Sequence, residues 1–542
     1  MPHPVAHRTF GRIAAAVIVA SYGLLCTVPA SGQPATAPAS QSADSQRGGR
    51  ASGTPAELQD KLSVTRHTLT WPGRSLSYTA TAGTIAMKDE AGKPKASFFF
   101  TAYELDPAND PAVGASGDAA AASRPDRSRR PITFVFNGGP GAASVWLHLG
   151  VVGPRRIDFP DDGIMGPPPY RLVDNESTWL AFTDVVLIDP VGTGYSRPAP
   201  GEDGKQFWGV EQDAASVADF IRLYLTRYHR WNSPKFLAGE SYGTTRAARL
   251  SELVADRYGI NLNGIVLVSA VPNFQTLRPA ENNDLPYVLY LPTYTYVAAY
   301  HNKLDPALTR DLPATLKEVE AFATGEYQTA LLRGNQAPPE QRKQLAARLA
   351  RYTGLPQDFI ESANLRISPS AFQKRLLADQ RKIIGRFDGR MTGFDVSPTS
   401  AAPAFDPSYT AYNGPYSSTF HHYVRDELKF ESDLPYEILT GRVQPWDYGP
   451  AGNGYLNVAN ELRNAMVKYP HMKVLIAEGM FDFATPYYAA DYTVNQLDLP
   501  PALRRNIVQT YYPGGHMMYH VREGREQLTK DVAAFYETAT GR

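Results

Sequence analysis

The chain has 542 residues, which is enough for an elaborated α/β domain with a large insertion. Its 54 Lys and Arg residues balance its 54 Asp and Glu residues, so the formal net charge is zero and nothing indicates a nucleic-acid partner. The only cysteine, Cys26, lies close to the N-terminus. Disulfides, zinc–thiolate sites and thiol catalysis are therefore excluded for the remainder of the chain.

The N-terminal segment has the pattern of a secretory signal peptide. Arg8 and Arg12 precede an apolar run over residues 13–28, and small residues follow it. We expect residues 1–32 to be a signal peptide and the mature protein to be secreted or periplasmic, without stable membrane insertion. An uncleaved membrane anchor is the alternative. Residues 33–60 are mainly Ala, Ser, Gly, Gln and Pro, which predicts a disordered leader.

Residues 61–272 and 451–542 are predicted to form the two parts of an α/β core. The first strands lie between glycine-containing turns and favour an antiparallel start to the sheet. Strands then alternate with helical stretches, which indicates a mainly parallel sheet with working residues at the strand C-termini. The short apolar runs that predict strands are residues 68–71, 76–80, 96–103, 133–136, 184–188, 235–238, 264–269, 473–477 and 507–512.

The alternation stops between the two parts, over residues 273–450. Residues 313–324 and 339–352 are predicted helices, and they lie among aromatic, proline-rich segments such as residues 283–292. We expect this region to form an inserted, mostly helical cap. Such a cap would lie over the strand ends and shape a pocket there.

Residues 239–243 read Gly-Glu-Ser-Tyr-Gly and match the G-x-S-x-G pattern of a nucleophile elbow. They follow an apolar strand and precede a helical stretch, which is the context that this motif requires. The glycines allow a turn sharp enough to present the Ser241 hydroxyl above the sheet. A plain turn in a βα unit would have the same five-residue pattern, so other residues must decide between the two interpretations.

A serine nucleophile needs a base, and the base needs an acid that orients it. In an α/β-hydrolase the chain order is Ser, then Asp or Glu, then His, on loops after late strands. Asp482 and His516 follow the last two predicted strands in that order. Glu478 and Asp491 are alternatives for the acid, whereas Asp189 precedes the serine and is expected to hold a turn.

A glycine-rich loop at residues 137–141 follows the predicted strand 133–136. Acyl transfer needs backbone N–H groups aimed at the developing oxyanion. One is expected from Tyr242, the residue after the serine, and one from this loop, because its paired glycines allow close backbone approach. A plain glycine turn is the alternative for the loop by itself.

In combination, these motifs resemble the serine carboxypeptidase family, in its secreted bacterial form. The resemblance is carried by residues 137–141, by Trp179 with residues 186–196, by residues 239–243, and by the late Asp and Gly-His. It extends from the glycine loop to the C-terminus, and the cap is matched only loosely.

The resemblance implies a capped α/β-hydrolase fold and removal of residues from peptide C-termini. It implies Ser241 as the nucleophile, His516 as the base and Asp482 as the acid that orients the base. It also implies that the N–H groups of Gly139 and Tyr242 form the oxyanion hole.

The resemblance further implies that Asn137, the Gly138 N–H and Glu240 hold the terminal carboxylate of the substrate. In family members a second glutamate pairs with the one before the serine, and their shared proton favours carboxylate binding at acid pH. The matching position is Val151, so Glu240 is expected to lack this partner. Ala142 stands where a cysteine is common, and the family's disulfides are absent.

Arg155 and Arg156 are an alternative source of carboxylate recognition, although a surface or salt-bridge role is favoured for both. The sequence therefore predicts a serine-type carboxypeptidase that acts on peptides and needs no cofactor or metal. The first alternative is an esterase or acyltransferase on the same site. A proline-type aminopeptidase and a non-catalytic binding protein are the others.

Overall fold

The structure of the protein is a computed structural model that describes residues 58–107, 127–452 and 454–541. The predicted signal peptide and nearly all of the predicted leader lie outside the described residues. Among the described residues, no helix combines the length and the apolar character that crossing a membrane requires.

The strands have the following bounds: β1 (Lys61–Trp71), β2 (Arg74–Lys88), β3 (Pro94–Leu105), β4 (Ile132–Phe136), β5 (Arg155–Ile157), β6 (Leu172–Asp174), β7 (Asp184–Ile188), β8 (Arg197–Pro198), β9 (Lys235–Glu240), β10 (Gly264–Val268), β11 (Lys382–Ile384), β12 (Thr392–Phe394), β13 (Lys473–Gly479) and β14 (Ile507–Tyr512).

The helices have the following bounds: α1 (Val145–Leu147), α2 (Val210–Arg227), α3 (Tyr242–Tyr258), α4 (Leu285–Tyr300), α5 (Pro306–Thr309), α6 (Leu312–Phe322), α7 (Gln328–Arg333), α8 (Pro339–Thr353), α9 (Gln357–Ser362), α10 (Pro369–Arg375), α11 (Pro407–His422), α12 (Ala459–Lys468), α13 (Tyr487–Asn495), α14 (Pro501–Arg504) and α15 (Arg522–Thr540).

A ten-stranded sheet has the order β1-β2-β3-β7-β4-β9-β10-β13-β14, with β8 paired to β3. The pairs from β1 to β7 are antiparallel, and every pair from β7 to β14 is parallel. This arrangement confirms the predicted α/β-hydrolase fold, with an antiparallel start and a mainly parallel centre. The carboxyl ends of the parallel strands therefore meet at one edge, where ligands bind in such sheets.

Strand β4 shows why the parallel strands are apolar along their whole length. Phe134 and Phe136 belong to one hydrophobic cluster, together with Val217 and Ile221 of α2, and Val135 belongs to a different cluster. Successive side chains of a strand point to opposite faces, so a strand that is covered on both faces needs a continuous apolar sequence.

Helices α4–α10, which we call the cap helices, have a separate hydrophobic cluster. The predicted helices 313–324 and 339–352 are confirmed as α6 and α8. Most of the aromatic segment 283–292 is also helical, because it forms the start of α4. Pro286 lies in the first turn of α4, where a missing N–H costs nothing, and burial of the aromatic side chains stabilises the remainder.

The end of the predicted cap region packs differently from the cap helices. In α11, Tyr412, Tyr416 and Phe420 join the hydrophobic cluster that contains Val135 of the sheet. An isolated bridge then pairs Leu439 with Ala142, the residue after the glycine loop. Helix α11 and the segment around Leu439 therefore lie against the core rather than among the cap helices.

Candidate active site

The nucleophile elbow is built as its sequence pattern predicts. Strand β9 ends at Glu240 and helix α3 begins at Tyr242, with Ser241 between them at φ 61° and ψ −129°. A positive φ is strained for a residue with a side chain, and such strain is typical of functional turns. A Cβ atom on Gly239 would lie 2.2 Å from the carbonyl oxygen of Gly243, so this turn admits only glycine at that position.

Asp482 and His516 form a buried hydrogen-bonded pair. The distance between His516 Nδ1 and Asp482 Oδ2 is 2.7 Å, and both side chains are almost fully buried. Asp482 Oδ1 accepts hydrogen bonds from the N–H groups of Ala484 and Thr485, at 2.6 and 3.1 Å. The Thr485 hydroxyl donates to Asp482 Oδ2 at 2.6 Å. These donors fix the carboxylate in the orientation that faces the imidazole.

The surroundings of His516 favour its protonated form. Burial lowers the pKa of His516, but the charge and hydrogen bond of Asp482 outweigh burial, so the pKa lies above its ordinary value. The Phe387 ring stacks on the imidazole, with 5.0 Å between the ring centroids and 17° between the planes. The Phe387 carbonyl also accepts the backbone N–H of His516. The imidazole is thus held by Asp482 at its edge and by the Phe387 ring on its face.

The structure distinguishes Asp482 from Glu478. Glu478 Oε1 accepts the N–H of Ala270 at 3.0 Å. Burial raises the pKa of Glu478 well above its ordinary value. Of the two acids, Asp482 is the one that is hydrogen-bonded to His516.

The other two acids have structural contacts. Asp491, on α13, accepts the Tyr511 hydroxyl at 2.7 Å. Asp189 accepts the N–H of Ser144 at 2.8 Å and so ties the chain after the glycine loop to the end of β7, as expected for a residue that holds a turn.

The glycine loop, residues 137–141, lies directly against the elbow. A Cβ atom on Gly138 would be 2.3 Å from the backbone nitrogen of Tyr242, so the glycine loop and the elbow can approach this closely only with glycine at residue 138. Tyr242 is the first residue of α3, where N–H groups have no partner within the helix. The structure therefore brings the glycine loop, at Gly138, close to the Tyr242 N–H.

Glu240 is buried and accepts two hydrogen bonds from neutral donors. The Asn137 amide donates to Oε1 at 2.8 Å, and the Tyr519 hydroxyl donates to Oε2 at 2.6 Å. Asn137 is itself held, because its Oδ1 accepts the N–H of Leu147 at 3.1 Å. Burial raises the pKa of Glu240 to about 7, against the opposing effect of His516 and of both donors. Glu240 therefore retains a proton at mildly acid pH.

A cavity of 440 Å³ adjoins the glycine loop. Its wall includes Gly139 and, from the loop that carries Asp482, Phe483 and Ala484. Phe481 and Phe483 belong to the hydrophobic cluster of the cap helices, so they anchor the Asp482 loop against those helices. The cavity thus lies where the glycine loop, the Asp482 loop and the cap helices meet.

The sequence model of the serine carboxypeptidase family matches residues 119–529. The chain belongs to this family. Pheromone-processing carboxypeptidase KEX1 of Yarrowia lipolytica is 32% identical over 144 residues, which are 26% of this chain and 22% of that protein. Serine carboxypeptidase-like 35 of Arabidopsis thaliana is 28% identical over 159 residues, which are 28% of this chain and 31% of that protein. The matched segments cover less than a third of either relative.

The fold is also found in a crystal structure of Kex1ΔP, a prohormone-processing carboxypeptidase from Saccharomyces cerevisiae. It has a TM-score of 0.50 and 16% sequence identity, and the superposition covers 85% of this chain and 91% of that chain.

Tyr519, the second donor to Glu240, was not predicted from the sequence. The resemblance to the family predicts a second acid at the position of Val151, and Val151 is buried among apolar side chains. A Cβ atom on the neighbouring Gly150 would lie 2.2 Å from the Tyr519 ring. Residues 148–152 form a wide π-helical turn, in which α-helical counting does not give the direction of a side chain.

Arg155 and Arg156 are engaged in ion pairs. Arg155 contacts Asp174 at 2.6 Å and Glu427 at 3.2 Å, and Arg156 contacts Glu176 at 2.9 Å. These contacts support the favoured salt-bridge role over recognition of a substrate carboxylate. Within the described ranges, no group of three His, Cys, Asp or Glu side chains is placed to hold a metal ion.

Proposed function

We propose that the protein is a serine-type carboxypeptidase that forms an acyl-enzyme on Ser241. His516 is the base and Asp482 orients it. The hydrogen bond that Nδ1–H donates to Asp482 leaves Nε2 for the Ser241 hydroxyl. The N–H groups of Gly139 and Tyr242 stabilise the oxyanion. No metal or cofactor takes part in this scheme.

In the first step the Ser241 oxygen attacks the peptide carbonyl carbon, and its proton moves to His516 Nε2. The C–N bond breaks as His516 gives that proton to the leaving amine. In the second step water takes the place of the serine hydroxyl, His516 again accepts and returns a proton, and the acyl group leaves as a free acid. Atoms and protons balance over the two steps, so the enzyme returns to its starting state.

The observation that carries the proposal is the buried carboxyl group of Glu240, directly before the nucleophile. Below about pH 7 a neutral Glu240 can share its proton with a carboxylate, and Asn137 and the Gly138 N–H can add donors. Together they would hold a peptide terminus beside Ser241. This favours cleavage of the last peptide bond.

The test compares a blocked dipeptide that has a free terminal carboxylate with the same peptide amidated, from pH 4.5 to 8. We expect a strong preference for the free acid below about pH 7 in the wild type, and loss of that preference in Glu240→Gln. Ser241→Ala should hydrolyse neither peptide. Equal hydrolysis of both peptides by the wild type would contradict carboxypeptidase action.

An esterase or acyltransferase is the second candidate, and the contact between Tyr519 and Glu240 favours it. A neutral phenol in place of a second carboxyl group provides no shared carboxyl proton for a substrate carboxylate. Ser241-dependent cleavage of simple esters, with no preference for a free terminal carboxylate, would identify this activity.

The proposal includes export of the protein to the periplasm or medium, on the basis of the charged and apolar pattern of residues 1–32. Determining the N-terminal sequence of the exported product tests it. A product that still begins at Met1 would contradict cleavage.

A further inference from the structure

We propose that the cavity beside the glycine loop binds a carboxylate group of the peptide substrate through Arg278 and Arg386. This substrate class rests on the proposed function, since the cavity selects only among peptides that reach Ser241. Both arginines line the cavity together with Gly139 of the glycine loop.

The cavity wall carries two positive charges and, among the described residues, no Asp or Glu side chain. In the described part of the chain, no carboxylate oxygen lies within 4.0 Å of the guanidinium nitrogens of Arg278 or Arg386. The Asp406 carboxylate accepts only the backbone N–H of Arg386, at 2.9 Å. A guanidinium group binds a carboxylate through paired, charge-assisted hydrogen bonds. Two such groups without a counter-charge in one concave site therefore select for an anion.

Arg278 is held in a defined position before any ligand arrives. Its guanidinium carbon lies 4.9 Å from the centroid of the Phe274 ring and 5.2 Å from that of Tyr448. Its Nη2 donates to the Tyr448 hydroxyl at 3.1 Å. The aromatic contacts fix the plane of the group and leave N–H donors on its edge, so binding a carboxylate costs little side-chain entropy.

Arg386 connects the cavity to the triad. Its guanidinium carbon lies 5.3 Å from the centroid of the Phe387 ring, and that ring stacks on His516. The positive charge is therefore one aromatic ring away from the base. A carboxylate held by Arg386 belongs to a residue close to the scissile bond.

Gln373 adds an unpartnered donor to the same cavity. Its side chain is 6% exposed, and its amide nitrogen has no hydrogen-bond partner within the described ranges. A buried amide donor without a partner costs free energy, and an oxygen of a bound ligand would remove that cost. The two guanidinium groups and the unpartnered amide donor therefore all favour a ligand that carries a carboxylate.

A peptide can offer this carboxylate from two sources, an acidic side chain next to the scissile bond or the peptide terminus. The experiment measures binding by calorimetry in the Ser241→Ala background, so that it does not depend on turnover. The ligands are blocked tetrapeptides with Glu or Gln in turn on each side of the last peptide bond, each with a free or an amidated terminus.

We expect the carboxylate-bearing member of a pair to bind at least about tenfold more tightly, which is the lower range of a charge-assisted hydrogen bond. For each pair, the ratio of the two dissociation constants measures this preference. Arg278→Gln and Arg386→Gln should each reduce that ratio towards one. Loss of the Glu-over-Gln ratio identifies the side chain as the source, and loss of the ratio between free acid and amide identifies the terminus.

Arg375→Gln is the matched control. Arg375 lies on α10 and stacks on Phe359 at 4.2 Å, so its replacement removes the same charge and the same kind of aromatic contact outside the cavity. Both ratios should be unchanged in this variant.

Wild-type-like ratios in Arg278→Gln and Arg386→Gln, or no preference for a carboxylate in the parent, would overturn the proposal. Failure of the proposed function would be recognised by a different result, namely that none of these peptides undergoes Ser241-dependent hydrolysis.

Discussion

Two buried carboxyl groups, at the end of β9 and in the loop after β13, have opposite surroundings. Asp482 faces an imidazole and is fixed by donors from its own loop, two N–H groups and a hydroxyl. Glu240 accepts hydrogen bonds from neutral donors on two distant segments, Asn137 and Tyr519. One group is therefore arranged to support a positive charge on its neighbour, and the other to keep a proton of its own.

The difference shows that the partner of a carboxyl group determines its chemistry, since both groups are fully buried. An acid bonded to a base can orient it and stabilise its protonated form. An acid among neutral donors can serve as a proton-bearing contact for a second carboxylate. Four variants test this division, beginning with the largest expected effect.

Ser241→Ala removes the hydroxyl group that is the proposed nucleophile. We expect kcat for peptide hydrolysis to fall by roughly 10⁵-fold or more, because the covalent route is lost. Ser251→Ala, a buried serine that bonds to the Ala248 carbonyl on the same helix, is the control and should retain turnover. Full activity in Ser241→Ala would contradict the mechanism.

Asp482→Asn keeps the shape of the side chain and removes its charge. The amide cannot stabilise a protonated His516, so we expect kcat to fall by roughly 10⁴-fold while the thermal unfolding midpoint changes little. Asp491→Asn is the matched control, since Asp491 bonds to Tyr511 rather than to the imidazole. Comparable losses in both variants would show that charge at this edge of the sheet, and not orientation of His516, matters.

Tyr519→Phe removes one of the two donors to Glu240 and keeps the ring. In the wild type, kcat/KM for free-acid peptides should fall as pH rises through about 7, because an ionised Glu240 repels the substrate carboxylate. The Tyr519 bond lowers the pKa of Glu240, so its loss should move this fall to higher pH. An ester without a carboxylate, measured in parallel, separates this effect from titration of His516. A shift to lower pH would contradict the assignment.

Besides the loss of free-acid preference expected above, Glu240→Gln should change stability, and this change is the smallest of the four effects. The folded pKa of Glu240, about 7, lies above the ordinary value of 4.5, so the wild type loses folding free energy as pH rises from 4.5 towards 7. The Gln variant lacks this titration. Its free energy of unfolding relative to wild type should therefore rise over that window, by on the order of 1–3 kcal/mol. Parallel stability curves for the two proteins would show that Glu240 does not titrate there.

The Asp482 side of this comparison could be predicted from the sequence, because its signals are local. A five-residue elbow, a glycine loop after a strand, and an Asp and a His after the last two strands each follow from a short segment and its strand. The order of these segments along the chain then predicts the triad. The parallel sheet is equally local in origin, since each strand is a short apolar run.

The Glu240 side could not be predicted fully, because it depends on contacts between distant segments. Tyr519 reaches Glu240 only through the packing of the loop after β14 against the π-helical turn at residues 148–152. The helical state of residues 283–292 is a similar case, since burial in the cap helices outweighs the local signal of its prolines. The cavity arginines lie on segments that carry no motif.

The packing of the Tyr519 ring on Gly150 also restricts how this site can change by mutation. An acidic side chain at residue 150 would collide with the ring, because even its first carbon would be 2.2 Å from it. Losing the ring first leaves Glu240 with a single donor, Asn137. Either single step is costly, and only the double change could be tolerated. An acidic side chain at residue 150 and the Tyr519 ring therefore exclude each other, so that the two positions can change only together.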